Sequence, residues 1–424
     1  MNWLERDKAV VWHPFTQLVN GFDHLMIEKA EGAYLYTSEG KKILDGISSW
    51  WVNLHGHSHP DIAKAVAEQA VSLEHVIFAG FTHKPAITLA ENLLSILPEN
   101  QSKIFYSDNG STANEVALKM AFQYWYNKGE LKRKKIIAFE GAYHGDTFGA
   151  MSVGDRGPFS APFSPFLFDV TFLPMPNEGN EAEVSAQFVE AVEGGEVAAF
   201  IFEPLVLGSA GMKMYSATLL DELISVAKQY DTICIADEVF TGFGRTGKYF
   251  ASDYLQNKPD IFCLSKGLTG GAMALGVTSC TEEIMDAYKS ADIMKTFFHG
   301  HSFTANPIAC AAANASFKLL TDPKTPLNME RINNAHNTFY KSINVHPKVM
   351  NARVLGTILA LELKTEEQSS YINEVRHKLY PFFLNKGILL RPLGNTIYIV
   401  PPYIIKNEEL DTIYTAILEL LEEL

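Results

Sequence analysis

The chain has 424 residues, of which 47% are hydrophobic and 20% charged, and its net charge is −14. That length exceeds one ordinary core and predicts about two domains, while the composition excludes a disordered chain. The acidic balance excludes nucleic acid and anionic membrane surfaces as main partners.

The opening stretch, MNWLERDKAVVWHPF, has no apolar signal core. Glu203 and Pro204 break the best apolar run, so no membrane span is expected, and a soluble cytoplasmic protein is predicted. Residues 1–50 are mixed, with two short strands over Tyr34–Thr37 and Lys42–Asp45 around a turn. Trp50 and Trp51 follow. Adjacent side chains of an extended segment face opposite ways, so either one lines a cleft or the segment is not extended and both pack in the core.

Helical spacing runs over Pro60–Glu74 and Pro85–Leu97. Lys103–Ser107 reads as a strand, followed by a turn and a helix from Ala113 to about Lys128. Further short apolar strands are expected at Ile136–Phe139, Ala198–Phe202, Thr232–Ala236, Ile261–Leu264 and Leu275–Cys280, with a helix over Ser216–Gln229. Buried strands alternating with helices predict a mainly parallel α/β sheet. Beyond a helix at Pro307–Leu320 the pattern changes. A helix near Glu366–Lys386, a strand pair at Ile388–Arg391 and Thr396–Val400, and a final helix predict a smaller α+β domain, completed by the N-terminal segment. The expected division is 1–50 with the small domain, 51–310 as the large domain and 311–424 as the small one. Of the four cysteines, Cys234, Cys263, Cys280 and Cys310, none forms a CxxC pair, and Cys234 and Cys263 sit in apolar runs as reduced core residues.

Ligands of such sheets bind beyond the carboxyl ends of the strands. Ser107-Asp108, Glu203, Asp237 and Lys266 all fall at such ends. Lys266 directly follows an apolar strand and precedes Gly267 and Gly270. Desolvation there would lower the lysine's pKa and free its amine to attack a carbonyl. Asp237, at the end of another buried strand, could hold the protonated nitrogen of a pyridine ring. Gly110 and Ser111 could offer an anion the N-terminus of a helix, capped by Ser111 or Thr112. Tyr143 could stack on a planar ring, and Arg391 could fork a carboxylate.

Other motifs are set aside. Gly242-Phe-Gly-Arg-Thr-Gly-Lys matches both GxGxxG and GxxxxGK. It lacks a strand directly before it and a helix directly after it, and Tyr249 stands where a P-loop needs Ser or Thr. A flexible loop carrying Arg245 towards a substrate is expected instead. His55, His57 and His59 have no cysteine or carboxylate cluster beside them, so a polar loop is expected rather than a metal site.

Together these residues resemble the class III (subgroup II) aminotransferases over nearly the whole chain, from Trp12-His-Pro to Pro401-Pro-Tyr. The class features are Ala236-Asp-Glu, Gly242-Phe-Gly-Arg-Thr-Gly and Ser265-Lys-Gly-Leu-Thr-Gly-Gly. Ser48-Ser-Trp-Trp, Tyr143-His-Gly-Asp-Thr-Phe-Gly-Ala-Met-Ser and Arg391-Pro-Leu-Gly with Tyr398 are similar to the branch that serves biotin biosynthesis. The resemblance implies the pyridoxal-phosphate-dependent transferase fold of type I, with a mainly parallel seven-stranded sheet in the large domain. It implies pyridoxal 5'-phosphate as cofactor, with Lys266 as the Schiff-base lysine and Asp237 on the ring nitrogen. Gly110 and Ser111 would hold the phosphate, with His301 and Ser302 reaching across from the other subunit of a homodimer. Phe15, Trp50, Trp51, Tyr143, Asp146, Arg245, Gly300, Arg391 and Tyr398 would shape the substrate pocket. The acceptor implied is 8-amino-7-oxononanoate. The donor implied is S-adenosylmethionine, or lysine, because Phe15 and His301 replace a tyrosine and a proline frequent in the family and resemble the lysine-using branch.

Overall fold

A computed structural model describes residues 2–19, 21–157, 159–365 and 375–424. At its centre lies a seven-stranded sheet. Its strands are β1 (Gln101–Ser107), β2 (Lys135–Phe139), β3 (Thr171–Leu173), β4 (Val197–Phe202), β5 (Ile233–Asp237), β6 (Ile261–Leu264) and β7 (Gly276–Thr281). The spatial order is β1-β7-β6-β5-β4-β2-β3. Only β7 runs against the others, antiparallel to both β6 and β1. The short edge strand β3 has no counterpart in the sequence reading.

The strands are apolar on both faces because both faces are covered. Phe139, Phe200, Phe202, Ala236, Phe262 and Leu264 pack into one cluster. Their alternating neighbours Ala138, Ala199, Ile201, Ile235, Ile261 and Cys263 pack into a second, with Ala113, Val116, Ala117 and Ala121 of the helix Gly110–Asn127. The period of two along a strand separates the clusters. It also decides where Asp237 points: it shares the parity of Ile233 and Ile235 and so faces the helix Gly110–Asn127. All four cysteines are free and buried.

The N-terminal strands Ile27–Glu31, Tyr34–Thr37 and Lys42–Asp45 form a second sheet, which Ile388–Leu389 joins in parallel to Lys42–Asp45. A third sheet pairs Val349–Leu355, Ile358–Leu363 and Thr396–Ile399 antiparallel. Its helices are Lys324–Ile343, which the sequence reading lacks, and Asn407–Glu423. The helix expected near Glu366–Lys386 is observed as Arg376–Asn385, and residues 366–374 lie outside the described residues. No helix among the described residues is long and apolar enough to cross a membrane.

Candidate active site

The carboxyl end of β6 delivers Lys266. Ser265 leaves the strand and donates its hydroxyl to the Leu275 carbonyl at 2.7 Å. Lys266 then takes φ +44°, which a long side chain seldom adopts, and opens a short 3-10 turn ending at Thr269. Its ammonium lies 4.9 Å from the Trp51 ring centre and 5.9 Å from that of Phe240. Burial pushes its pKa below that of an ordinary lysine, the charge of Arg245 adds to the shift, and Asp237 and Glu203 oppose it.

Asp237, 3% exposed, is fixed by three donors. His144 Nδ1 donates to Oδ2 at 2.7 Å and Asn114 Nδ2 to the same oxygen at 2.8 Å, while the Val239 amide donates to Oδ1 at 3.1 Å. Asn114 also donates to the His144 carbonyl at 2.8 Å, which ties the helix Gly110–Asn127 to the Tyr143-His144 turn. The buried His144 Nε2 has no partner among the described residues. Neither His144 nor Asn114 was singled out from sequence. The available signal was His144 beside Tyr143 at a strand end, and Asn114 one helical turn after Gly110.

Asn109, not Ser111 or Thr112, caps that helix. Its side chain accepts from the Thr112 amide, and Thr112 returns its own side chain to the cap. The correction moves Gly110 and Ser111 into the first turn, where amide groups have no intrahelical acceptor. A Cβ at Gly110 would lie 2.7 Å from Val239 Cγ1, so a larger residue would have to push aside the Val239 side chain just beyond β5. Ser111 Oγ accepts from the Asp146 amide at 3.2 Å, joining the helix start to the Tyr143–Asp146 turn. Tyr143 is 36% exposed. Its phenol is pushed well above the usual tyrosine range by burial and by the Asp146 carboxylate. Its amide donates to Glu203 Oε1 at 3.0 Å, and burial raises the Glu203 carboxyl to about 7.

The two tryptophans part. Trp51 is buried between Phe240, with ring centres 4.6 Å apart, and Tyr398, at 6.0 Å. Trp50 is 38% exposed, edge-on to Phe15 at 5.6 Å, with the Arg391 guanidinium 4.8 Å from its ring centre. Phe15, Trp50 and Arg391 therefore form one wall.

One expectation changes. Arg245 is not carried on a flexible loop: it is 1% exposed and donates to the Pro401 carbonyl at 3.1 Å and the Trp51 carbonyl at 3.0 Å. A guanidinium this buried needs such acceptors, and here they brace Trp51 from behind. Gly300 and Ser302 lie exposed, with the half-buried His301 between them, on a loop that also exposes Phe298 and Phe303. The contacts seen for this loop, including Lys119 Nζ donating to His299 Nδ1 at 2.9 Å, do not join it to Lys266. The three histidines set aside above are used structurally, His55 on Ser316, His57 on Asp45 and His59 at the start of the helix Pro60–Ser72.

An amine with a lowered pKa, a fixed carboxylate, a helix N-terminus without a Cβ and a partly exposed phenol surround one place. This donor set fits pyridoxal phosphate: a lysine for its aldehyde, an acid for its ring nitrogen and free amides for its phosphate.

Comparison with known proteins agrees. The sequence matches the aminotransferase class-III family over residues 19–421. The adenosylmethionine-8-amino-7-oxononanoate aminotransferase of Synechococcus elongatus is 47% identical over 422 residues, 98% of this chain and 99% of that protein. The crystal structure of the like-named enzyme from Methanocaldococcus jannaschii superposes with a TM-score of 0.93 at 36% identity, covering 98% of each chain. An omega transaminase from Pseudomonas jessenii, solved in complex with PMP, gives 0.94 at 25% identity, covering 100% of this chain and 98% of that one.

Proposed function

This chain belongs to the class III aminotransferases, and on that premise we propose that it transfers an amino group to 8-amino-7-oxononanoate, a step of biotin biosynthesis, with S-adenosylmethionine as donor. Full-length relatives named for that donor and acceptor support the substrate assignment. The observation that carries the chemistry is Lys266, an amine with a lowered pKa beside the fixed carboxylate of Asp237.

Pyridoxal phosphate, when bound, supplies an aldehyde that takes up the amino group and a cationic ring that accepts carbanion electrons. Lys266 Nζ is the amine that would hold that aldehyde, and the same atom, once free, would take the donor's α-proton as a base and return it as an acid. Its lowered pKa increases the neutral fraction able to do so. Asp237 keeps the ring nitrogen protonated, and His144 and Asn114 keep Asp237 aimed. The first-turn amides of Gly110 and Ser111 receive the phosphate. Tyr143 flanks the ring, and Trp50, Trp51, Asp146 and Phe15 bound the substrate pocket. Arg391 pairs with a substrate carboxylate, while Arg245 and Tyr398 hold Trp51 in place.

We assign the active unit as a cytoplasmic homodimer in which His301 and Ser302 complete the other subunit's phosphate site and Gly300 its substrate pocket, a reading supported by the exposure of Gly300 and Ser302. Residues 1–50 are assigned with 311–424 to the small domain, and 51–310 to the cofactor domain. The sheet shared by Lys42–Asp45 and Ile388–Leu389 supports this division.

The test adds S-adenosylmethionine or lysine separately to the cofactor-loaded enzyme, without acceptor. Loss of the lysine-bound cofactor's visible absorbance with S-adenosylmethionine alone is expected. Loss with lysine alone would move the chain to the lysine-using reading, which Phe15 and His301 favour. A colourless protein that takes up no pyridoxal phosphate would overturn the assignment.

A further inference from the structure

We propose that Asp7, His13 and His24 form a binding site for a divalent transition metal of zinc type, outside the catalytic centre. The three come from separate segments: the helix Trp3–Val10, the turn after it, and the loop before the strand Ile27–Glu31. His13 Nε2 lies 2.9 Å and His24 Nδ1 3.0 Å from the same oxygen, Oδ2 of Asp7. The imidazole ring centres are 4.0 Å apart, and the three ligand atoms all lie within 4.8 Å of one another. Two imidazoles and one carboxylate are a zinc donor set, and bonds of about 2.0–2.1 Å at tetrahedral angles place ligand atoms about 3.3 Å apart. The two histidine–aspartate distances need to open by only a few tenths of an ångström. Without metal, two ring N–H groups share one carboxylate, and that bonding holds the ligands together in advance.

The side chains of Asp7, His13 and His24 are 27%, 34% and 35% exposed, so an ion can enter and water can complete its coordination. His13 and His24 border a cavity of about 360 Å³ that Phe15 and Arg391 also line. The chain between the two histidines carries Phe15, whose ring meets Trp50. A metal held by all three ligands therefore closes a loop around the residue that walls the substrate pocket.

The test is a titration of tag-free, cofactor-loaded enzyme with Co2+, followed by its d–d absorption, and then displacement by Zn2+. One ion per chain with a low-symmetry spectrum is expected. His24→Ala and Asp7→Asn should each weaken binding by about 100-fold or more, since even outer-shell partners of metal ligands cost about 10- to 100-fold. His24 is half-buried on a loop, and unchanged cofactor absorbance checks that each variant is folded. Binding that survives both substitutions places the ion elsewhere and overturns the proposal, as does the absence of saturable binding to the parent enzyme.

Discussion

Replacing Asp237 by Asn tests the site at its most constrained point. The carboxylate accepts from His144 and Asn114 on Oδ2 and from the Val239 amide on Oδ1. An asparagine has one acceptor, so its oxygen should occupy the Oδ2 place and keep two bonds. Its NH2 group then faces the Val239 N–H, a donor against a donor, at a cost of about 1–3 kcal/mol. The protein should fold, less stably by that amount. The catalytic loss has a different origin. A neighbouring carboxylate raises the pKa of a cation by about 1–3 units, each about 1.4 kcal/mol, so its removal should lower the protonated fraction of the ring nitrogen by at most about 10- to 1000-fold. The assay is the single-turnover half-reaction with donor, at saturating pyridoxal phosphate so that weaker cofactor binding does not enter. A rate within about threefold of the parent would refute the electronic role of Asp237.

Lys266→Ala should abolish turnover while cofactor still binds through the remaining contacts, read as a shifted visible spectrum; any rate within about tenfold of the parent contradicts the role of the amine. Arg391→Ala should lower kcat/KM for the acceptor about 10- to 150-fold, the equivalent of about 1.5–3 kcal/mol for a charged hydrogen bond, and steady-state kinetics with an unchanged value would remove Arg391 from substrate binding. Burial raises Glu203 from 4.5 to about 7, so the folded state holds a proton there that the unfolded chain releases. The resulting stabilisation is complete below about pH 4.5 and fades as pH rises through about 7, with a slope of at most about 1.4 kcal/mol per unit. Glu203→Gln should flatten the fall in melting temperature across that window, and parallel curves for the two proteins would disprove the shift. Phe15→Tyr, which restores a phenol against Trp50, should raise the half-reaction rate with S-adenosylmethionine relative to lysine; an unaltered ratio would clear Phe15 of setting the donor.

The sheet was legible because its strands are buried on both faces and read as apolar runs with polar residues at their ends. Lys266 and Asp237 could be placed for that reason, before any contact was known. β3 escaped because three residues on a sheet edge make too short a run to register. The helix Lys324–Ile343 escaped because its buried positions, Met329, Ile332, His336, Phe339 and Ile343, include a histidine and are diluted by asparagines. Arg245 was misjudged for a related reason. Sequence shows a glycine-rich stretch and a charge, both marks of a loop, but not the Pro401 and Trp51 carbonyls from distant segments that make burial of the charge affordable.

The tryptophan pair marks the deeper limit. Ser48, Ser49, Trp50 and Trp51 all have positive φ, from 48° to 84°, and form one left-handed turn. Each such residue costs about 1–2 kcal/mol, so local preference alone argues against the turn by about 4–8 kcal/mol. It is held largely by parts far apart in sequence, with Asp45 as a local support. Ser48 Oγ donates to the Val400 carbonyl at 2.8 Å, Ser49 Oγ to Asp45 at 2.8 Å, and Arg245 to the Trp51 carbonyl at 3.0 Å. The sequence argument that adjacent residues diverge assumed an extended strand, and the divergence arises here from a tight turn. Its consequence is functional. Trp51 is driven inward against Phe240 and the Lys266 ammonium, while Trp50 is left outside to meet Phe15 and Arg391. A strand would divide the rings equally well but would not bring a single backbone turn within reach of both the lysine and the arginine. Four strained residues, braced from both ends of the chain, are what join the buried Lys266 amine to the wall of Phe15, Trp50 and Arg391.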